Sequence, residues 1–386
     1  MWAEPRAHQC ARDDCWVHGG LPAPFSPSPR PPPAPVLEAA AGEREGGREA
    51  GQGLIGRLRE AGPSGDRAKT KRASEREREQ QQQQQQPLLT PILFIIFNRP
   101  EQTVRVFDAI RKARPKQLFI AADGPRSKKA GEKELCEAAR VIAAKIDWPC
   151  EVRTRFKDKN IGCKLHVSSA ISWFFEHVEE GIILEDDCLP VQSFFPYCTE
   201  LLERYRNNSQ IMHVSSVNFL NDDEITNHST SYHFSRHPHV WGWATWRRAW
   251  NKYDLNMTHL DTLINMPVAK DLFLNKKYLK FWINFCKNIR DKNIDTWDAQ
   301  WQYTLMYNNG CAITPHFNLI ENIGFGADAT HTKDANSVTK KAIELTKPLN
   351  HPKTIYIDKI ADAHLAQRMY MRSLWKKIIL KLQLLK

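Results

Sequence analysis

The sequence predicts an α/β fold, a mixed sheet flanked by helices and preceded by a disordered N-terminal tail. From residue 90 onward, apolar runs alternate with segments of helical period. The first of these runs end in polar or turn-forming residues. Residues 1–89 lack such periodicity and hold a Pro-rich run and a polyglutamine tract. A segment of that composition buries too little apolar surface to offset its ordering entropy, which predicts disorder.

The first half of the sheet is predicted from four apolar runs. "PILFIIFNRP" (91–100) is continuously apolar, as is typical of a parallel strand covered on both faces. Later runs give strands at 116–126, 150–156 and 181–187. Apolar residues at helical spacing give helices at 101–113, 133–146 and 164–178. The order strand, helix, strand predicts a parallel sheet with a ligand site at the carboxyl ends of its strands.

The second half is less regular. A helix is predicted at 193–206, a strand at 211–219, and helices at 276–291 and 296–310, the last ended by Gly310. A strand and a Gly-rich loop follow within 311–332, so we assign one catalytic domain to residues 90–360. Residues 361–386 predict a basic amphipathic helix, suited either to an anionic membrane or to docking on its own domain.

The charge of the chain is concentrated in its body. The net charge is +11, and the 13 basic and 12 acidic residues of 1–86 contribute +1, which leaves +10. A basic body suits an anionic ligand such as a nucleotide diphosphate, although a generic basic surface is equally compatible. No nucleic-acid-binding motif is present, so no nucleic acid partner is expected. Nine cysteines without a CxxC pair, no export signal and no apolar run of membrane length predict a cytoplasmic protein.

The segment "GIILEDDCLP" (181–190) sets three adjacent carboxylates at the end of an apolar strand. Adjacent like charges repel, so a compensating cation is expected. Oxygen ligands at a strand end suit Mn²⁺ or Mg²⁺, which is usually shared with substrate phosphates. The alternative is a solvated strand end with one acid paired to a nearby arginine.

The order of several motifs resembles a known fold family. "FNRP", "DGPR", "KNIGC" and "GIILEDDCLP" follow one another as in GT-A nucleotide-diphospho-sugar transferases. "EDD" followed by Pro and "SFF" is similar to the N-acetylglucosaminyltransferase I group. "WGWATWRRAW", "WDAQWQY" and "NIGFGADATHT" are similar to soluble bacterial glycosyltransferase-like proteins. The resemblance covers roughly residues 90–360 and implies a GT-A type, Rossmann-like mixed sheet.

The resemblance also implies a donor site. Asp187 would bind the metal, and Glu185 and Asp186 would face sugar or ribose hydroxyls or orient bound water. Asp123 would hydrogen-bond the base. The remaining nucleotide contacts would come from Asn98, Arg99, Asn160 and Gly162. His331 would be a late metal ligand or a diphosphate contact.

The catalytic base and the acceptor platform are expected further along the chain. Asp298, flanked by tryptophans whose apolar surroundings would raise its pKa, is the candidate base, and Asp295 is its competitor. The alternative for Asp298 is a helix N-terminal acid. Trp241 and Trp243 are candidates for stacking against an acceptor sugar, with core packing as their alternative.

These residues predict an inverting, metal-dependent glycosyltransferase. Its partners would be a nucleotide-sugar donor and a glycan, lipid-linked or protein acceptor, with peripheral membrane contact through the C-terminal helix. Two alternatives remain: a non-catalytic carbohydrate-binding or interaction protein on the same fold, and a sugar nucleotidyltransferase. The latter would need a Gly-rich, basic loop after the first strand, which "FNRPEQT" lacks.

Overall fold

The computed structural model describes residues 87–266, 276–292, 294–324, 340–345 and 348–368. It confirms the predicted fold class, a mixed α/β sheet flanked by helices. The predicted tail up to residue 86, the loop with His331 and the C-terminal helix beyond residue 368 lie outside the described residues.

The described strands, in chain order, are β1 (Ile92–Ile96), β2 (Gln117–Ala122), β3 (Glu151–Phe156), β4 (Glu180–Glu185), β5 (Cys188–Pro190), β6 (Ile211–Ser215), β7 (Tyr232–Ser235), β8 (Trp243–Trp246), β9 (Cys311–Pro315) and β10 (Ile320–Asn322). The described helices are α1 (Pro100–Ala113), α2 (Glu132–Ala143), α3 (Cys163–His177), α4 (Phe194–Tyr205), α5 (Arg247–Trp250), α6 (Leu260–Asn265), α7 (Lys276–Asp291), α8 (Asp298–Tyr307) and α9 (Lys359–Ala366).

Eight strands form one sheet in the order β3-β2-β1-β4-β8-β6-β9-β7. Strands β3, β2, β1 and β4 are parallel neighbours. Strand β8 enters antiparallel between β4 and β6, and β7 pairs antiparallel with β9. Strands β5 and β10 form a separate antiparallel pair. The parallel half of the sheet therefore matches the predicted alternation, and the mixed character comes from β7 and β8.

Strand β1 shows why the first apolar run has no polar residue. Ile92, Phe94 and Ile96 pack into one cluster, with residues of α1 and α4. Leu93 and Ile95 pack into the other, with residues of α3 and with Trp301 and Leu305 of α8. Because successive side chains of a strand point to opposite faces, a strand covered on both faces must be apolar throughout.

In the second half the structure adds two elements and corrects one local prediction. The aromatic segment 239–250, which we did not assign, forms strand β8 and the short helix α5. The helix before Gly310 ends at Tyr307, and Asn309 rather than Gly310 has a positive φ, of 52°. Gly310 is instead closely packed, since a Cβ there would lie 2.3 Å from the sulfur of Met212, which would have to shift.

Two further observations concern the cysteines and the helices. Within the described ranges, all seven cysteines are free thiols. None of the described helices combines the length and the apolarity needed to cross a membrane.

Candidate active site

The carboxyl ends of β2, β1 and β4 form one edge of the parallel sheet. Asp123 directly follows β2, and Asn98 and Arg99 follow β1. Glu185 ends β4, so Asp186 and Asp187 lie just outside that strand. Neighbouring parallel strands place these ends side by side, and this edge is where ligands bind in open α/β sheets.

Arg99 provides the positive charge that faces the acidic motif. Its Nη1 lies 2.7 Å from Oδ2 of Asp187 and 3.6 Å from Oδ1 of Asp186. The other oxygen of Asp186, Oδ2, accepts a 3.0 Å hydrogen bond from the backbone N–H of Phe97. Asp186 is therefore held to the end of β1, whereas Asp187 is held by the guanidinium.

One guanidinium does not fully compensate three acids. Burial raises the pKa of Glu185, and the charges of Asp187, Asp186 and Asp298 raise it further. Burial and Asp187 also raise the pKa of Asp186, against the opposing effects of Arg99 and the Phe97 N–H. The motif therefore favours either a proton or a further cation.

The segment after β10 closes one side of Asp187. Strand β10 pairs with β5, and the N–H of Ile323 donates a 2.8 Å bond to the carbonyl of Asp187. A Cβ on Gly324 would lie 2.2 Å from Oδ2 of Asp187, so a side chain here would displace the carboxylate. The motif "NIGFG" alone gives no signal for this contact of Gly324 with Asp187.

Asp123 organises the loop between β3 and α3. Its carboxylate accepts hydrogen bonds from the N–H groups of Gly124 (2.8 Å), Ile161 (3.1 Å) and Gly162 (3.2 Å) and from the Asn160 amide (3.0 Å). Because it is buried, its pKa is raised despite these bonds. The predicted residues Asp123, Asn160 and Gly162 are thus brought together, but by bonds to one another. Asp123 therefore positions this loop. The predicted hydrogen bond from Asp123 to the base of the nucleotide stays a prediction.

Glu132 is a site residue that sequence reasoning missed. It is fully buried and accepts a 2.8 Å bond from the Asn98 amide and a 2.7 Å bond from the N–H of Arg126. Hydrogen bonds from the Arg126 side chain lower the pKa of Glu132 to about 2. It fixes Asn98 beside the site, but an acid in the first turn of a helix gives no distinctive sequence signal.

The two candidate bases differ in their surroundings. Asp295 accepts hydrogen bonds from the N–H groups of Cys163 (3.1 Å) and Lys164 (2.7 Å) at the start of α3. Asp298 begins α8, is exposed, and accepts a hydrogen bond from the Thr296 hydroxyl. Asp298 also lies close enough to Glu185 for its charge to raise the pKa of that residue. Both carboxylates are exposed, but that of Asp295 is used as a helix cap, so Asp298 is the stronger candidate base.

Two tryptophans near the candidate base are core residues. Trp297 and Trp301 are 3% and 0% exposed and pack in the cluster beneath the sheet. The sequence predicts that these rings surround the carboxylate of Asp298. Both rings lie in the core instead, and the carboxylate is exposed.

The expectation that Trp243 binds an acceptor is wrong. Trp243 is fully buried, and its ring stacks on His213 at 4.8 Å and on Trp297 at 5.8 Å between centroids. It belongs to the core, which was the alternative reading. Trp241 is half-buried and packs edge-on against Phe219, so its platform role stays a prediction.

Within the described ranges, no three His, Cys, Asp or Glu side chains converge as a ligand set. His331 lies outside those ranges, so its role as a ligand stays a prediction. The adjacent carboxylates of Asp186 and Asp187 nevertheless fit Mg²⁺ or Mn²⁺, because such ions are commonly held by one or two carboxylates together with substrate phosphates.

Comparisons with known proteins do not assign the chain. No protein-family model matches it, and no curated protein matches it. Among solved structures, it is similar to 4-diphosphocytidyl-2C-methyl-D-erythritol synthase from Anaerococcus prevotii DSM 20548. That match has 11% identity and a TM-score of 0.26, over 57% of this chain and 97% of that chain. A likeness this low carries no argument about function.

Proposed function

We propose that this protein is a metal-dependent glycosyltransferase that uses a nucleotide-diphosphate sugar. The observation that carries the proposal is the arrangement at the sheet edge. Arg99 faces Asp186 and Asp187, and the Asp123-held loop lies at the end of the adjacent strand. An arginine and a pair of carboxylates suit a diphosphate and its cation. The motif order that resembles GT-A transferases supports the same assignment.

Asp187 and Asp186 would hold Mn²⁺ or Mg²⁺. When bound, the cation supplies positive charge that stabilises the leaving diphosphate. The raised pKa values of Glu185 and Asp186 support this fit, because they come first from burial and then from neighbouring carboxylates, which Arg99 only partly offsets.

Asp298 is the residue that would accept the proton of the acceptor hydroxyl. The Thr296 hydroxyl donates to its Oδ1 and orients the carboxylate, so we assign the acceptor proton to Oδ2. Attack by the deprotonated hydroxyl on the anomeric carbon, opposite the diphosphate, would invert the configuration. Arg99 would bind the phosphates through charge-assisted hydrogen bonds. The acceptor is a glycan, a lipid-linked group or a protein.

The test is release of nucleoside diphosphate from a panel of sugar donors, first with Mn²⁺ and then with EDTA. We expect release with at least one donor, its loss in EDTA, and its loss in Asp187→Asn. Asp223→Asn, which removes an exposed carboxylate in the 3₁₀ turn Asp222–Glu224, is the matched control and should retain activity.

Three results would contradict the proposal. Metal-independent turnover would exclude the assigned role of Asp187. Glycan binding without donor turnover would favour a carbohydrate-binding protein. Pyrophosphate release from a nucleoside triphosphate and a sugar phosphate would favour a nucleotidyltransferase.

A further inference from the structure

We propose that Arg99 and the divalent cation are alternative partners of Asp187. The cation would bind weakly to the free protein and tightly together with a nucleoside diphosphate, which draws the guanidinium away from the carboxylate. This inference rests on the proposed function and concerns how the same site is assembled.

Oδ2 of Asp187 is enclosed on two sides. Its Oδ2 is 2.7 Å from Nη1 of Arg99, and on another side the backbone of Gly324 leaves no room even for a methyl group. Its Oδ1 accepts a weak 3.5 Å contact from the thiol of Cys188. The guanidinium therefore occupies an approach to Oδ2 that a cation would use, and Gly324 narrows another.

Asp186 offers no independent position. Its Oδ2 is used by the Phe97 N–H, and its Oδ1 is 3.6 Å from the same Nη1 of Arg99. A cation on Oδ2 of Asp187, at about 2.1 Å, would lie within about 5 Å of the guanidinium nitrogen. Two positive groups at that distance in a partly buried site repel strongly. Cation binding and the Arg99–Asp187 pair therefore oppose each other.

The backbone of Arg99 is fixed by hydrogen bonds, whereas its partly exposed side chain can move away from Asp187. The Arg99 carbonyl accepts bonds from the N–H (2.9 Å) and the hydroxyl (2.7 Å) of Thr103 in α1, which fix the main chain. The side chain is 21% exposed, so it reaches solvent and an incoming anion. A diphosphate offers it a partner of higher charge than one carboxylate.

The consequence is reciprocal coupling between cation and nucleotide. If the nucleotide removes the competitor of the cation, it raises the affinity for the cation, and the cation raises the affinity for the nucleotide by the same factor. Coupling of this kind typically changes affinity about 5- to 150-fold. If Arg99 is replaced with a neutral residue, the cation has no competitor for Asp187 even without nucleotide. The nucleotide should then raise the affinity for the cation by a smaller factor.

The test measures Mn²⁺ binding to the full chain by electron paramagnetic resonance of the free ion, with Mn²⁺ alone and with uridine or guanosine diphosphate. Protein-free nucleotide samples correct for Mn²⁺ held by the nucleotide itself. For the unsubstituted protein we expect binding at least about fivefold tighter with one of the nucleotides. For Arg99→Gln we expect Mn²⁺ alone to bind at least about fivefold tighter than it binds the unsubstituted protein.

The controls separate the possible failures. Arg105→Gln makes the same charge change at an exposed position of α1 and should match the unsubstituted protein. If Arg99→Gln does not fold, the absence of tighter Mn²⁺ binding with nucleotide in the unsubstituted protein is sufficient to reject the inference. The inference is also overturned if a nucleotide tightens Mn²⁺ binding to the unsubstituted protein but Mn²⁺ alone binds Arg99→Gln no more tightly than it binds the unsubstituted protein. Mn²⁺ binding that Asp187→Asn does not weaken would reject the metal site of the proposed function itself.

Discussion

Oδ1 of Asp295 accepts a 2.7 Å hydrogen bond from the backbone N–H of Lys164, 131 positions earlier in the chain. Its Oδ2 accepts the N–H of Cys163, the first residue of α3. The first N–H groups of a helix have no partner within the helix, so Asp295 supplies the cap that the local sequence lacks. Asp295 therefore ties the segment before α8 to the loop that Asp123 organises. Helix α8 begins with the candidate base, Asp298.

We predict that Asp295→Ala lowers the free energy of unfolding by about 1 kcal/mol, the usual cost of losing a helix cap. Urea denaturation measures the change. Asp298→Ala, which removes an exposed acid three residues later, should cost clearly less while abolishing transfer. Equal losses of stability from the two substitutions would contradict the capping role of Asp295.

Gly162→Ala should destabilise the protein more than Gly131→Ala. Both glycines have a positive φ, 86° and 75°, so both substitutions strain the backbone, by about 1 kcal/mol or more. A Cβ on Gly162 would also lie 2.9 Å from Oδ2 of Asp295, whereas nothing lies within 4 Å of one on Gly131. Thermal and urea unfolding of the two variants measure the difference. The same cost at both positions would show that the contact with Asp295 is unimportant.

Trp243→Ala should lower the free energy of unfolding by about 3–5 kcal/mol, because it empties a fully buried position between two stacked rings. Trp241→Ala, at a half-buried position, should cost less. Chemical denaturation compares the two. A stable Trp243→Ala protein with weakened acceptor binding would restore the platform role that the structure removes.

The free energy of unfolding should fall as the pH drops from 7 to 5, in part because of His213. Its Nδ1 accepts from the Trp301 indole N–H (3.1 Å), so its Nε2 carries the proton and donates to the His239 carbonyl (3.0 Å). Burial of this neutral ring lowers its pKa to about 3. The unfolded chain, with a histidine pKa near 6.5, binds a proton in this range that the folded protein does not.

The contribution of His213 between pH 7 and pH 5 should be about 2 kcal/mol. His213→Gln keeps both a donor and an acceptor in this position, so its loss of stability over the same range should be smaller by that amount. Urea denaturation at both pH values tests this. His228→Gln, at an exposed position, should leave the pH dependence unchanged. If the free energy of unfolding of His213→Gln falls between pH 7 and pH 5 as much as that of the unsubstituted protein, His213 is not a source of the pH dependence.

The parallel half of the fold was predictable from the sequence, and the antiparallel half was not. Strands such as β1 are buried on both faces, so their apolarity is continuous and visible. Strand β8 consists of Trp, Ala, Thr and Trp, fully buried but short, and it runs directly into α5. Four residues carry too little periodicity to separate a strand from a helix.

The location of the candidate site was predictable because residues at the ends of neighbouring parallel strands must meet. Its internal contacts were not predictable, because they join residues far apart in the chain. Glu132 contacts Asn98 across 34 positions, and Gly324 closes on Asp187 only because β10 pairs with β5. Nothing in the local pattern around these residues encodes such a partner.

The position of β8 has a consequence for synthesis of the chain on the ribosome. Strand β6 pairs with β8 and β9, and Ile211 has as its partner Cys311, 100 positions later. When the chain has emerged to about residue 240, β3, β2, β1 and β4 have their parallel partners, but β6 and β7 must wait for strands not yet made. A strand that is buried in the folded protein is prone to wrong association while it is unpaired, and pairing across long separations is slow. Nascent chains of this protein should therefore depend on chaperones until β9 emerges.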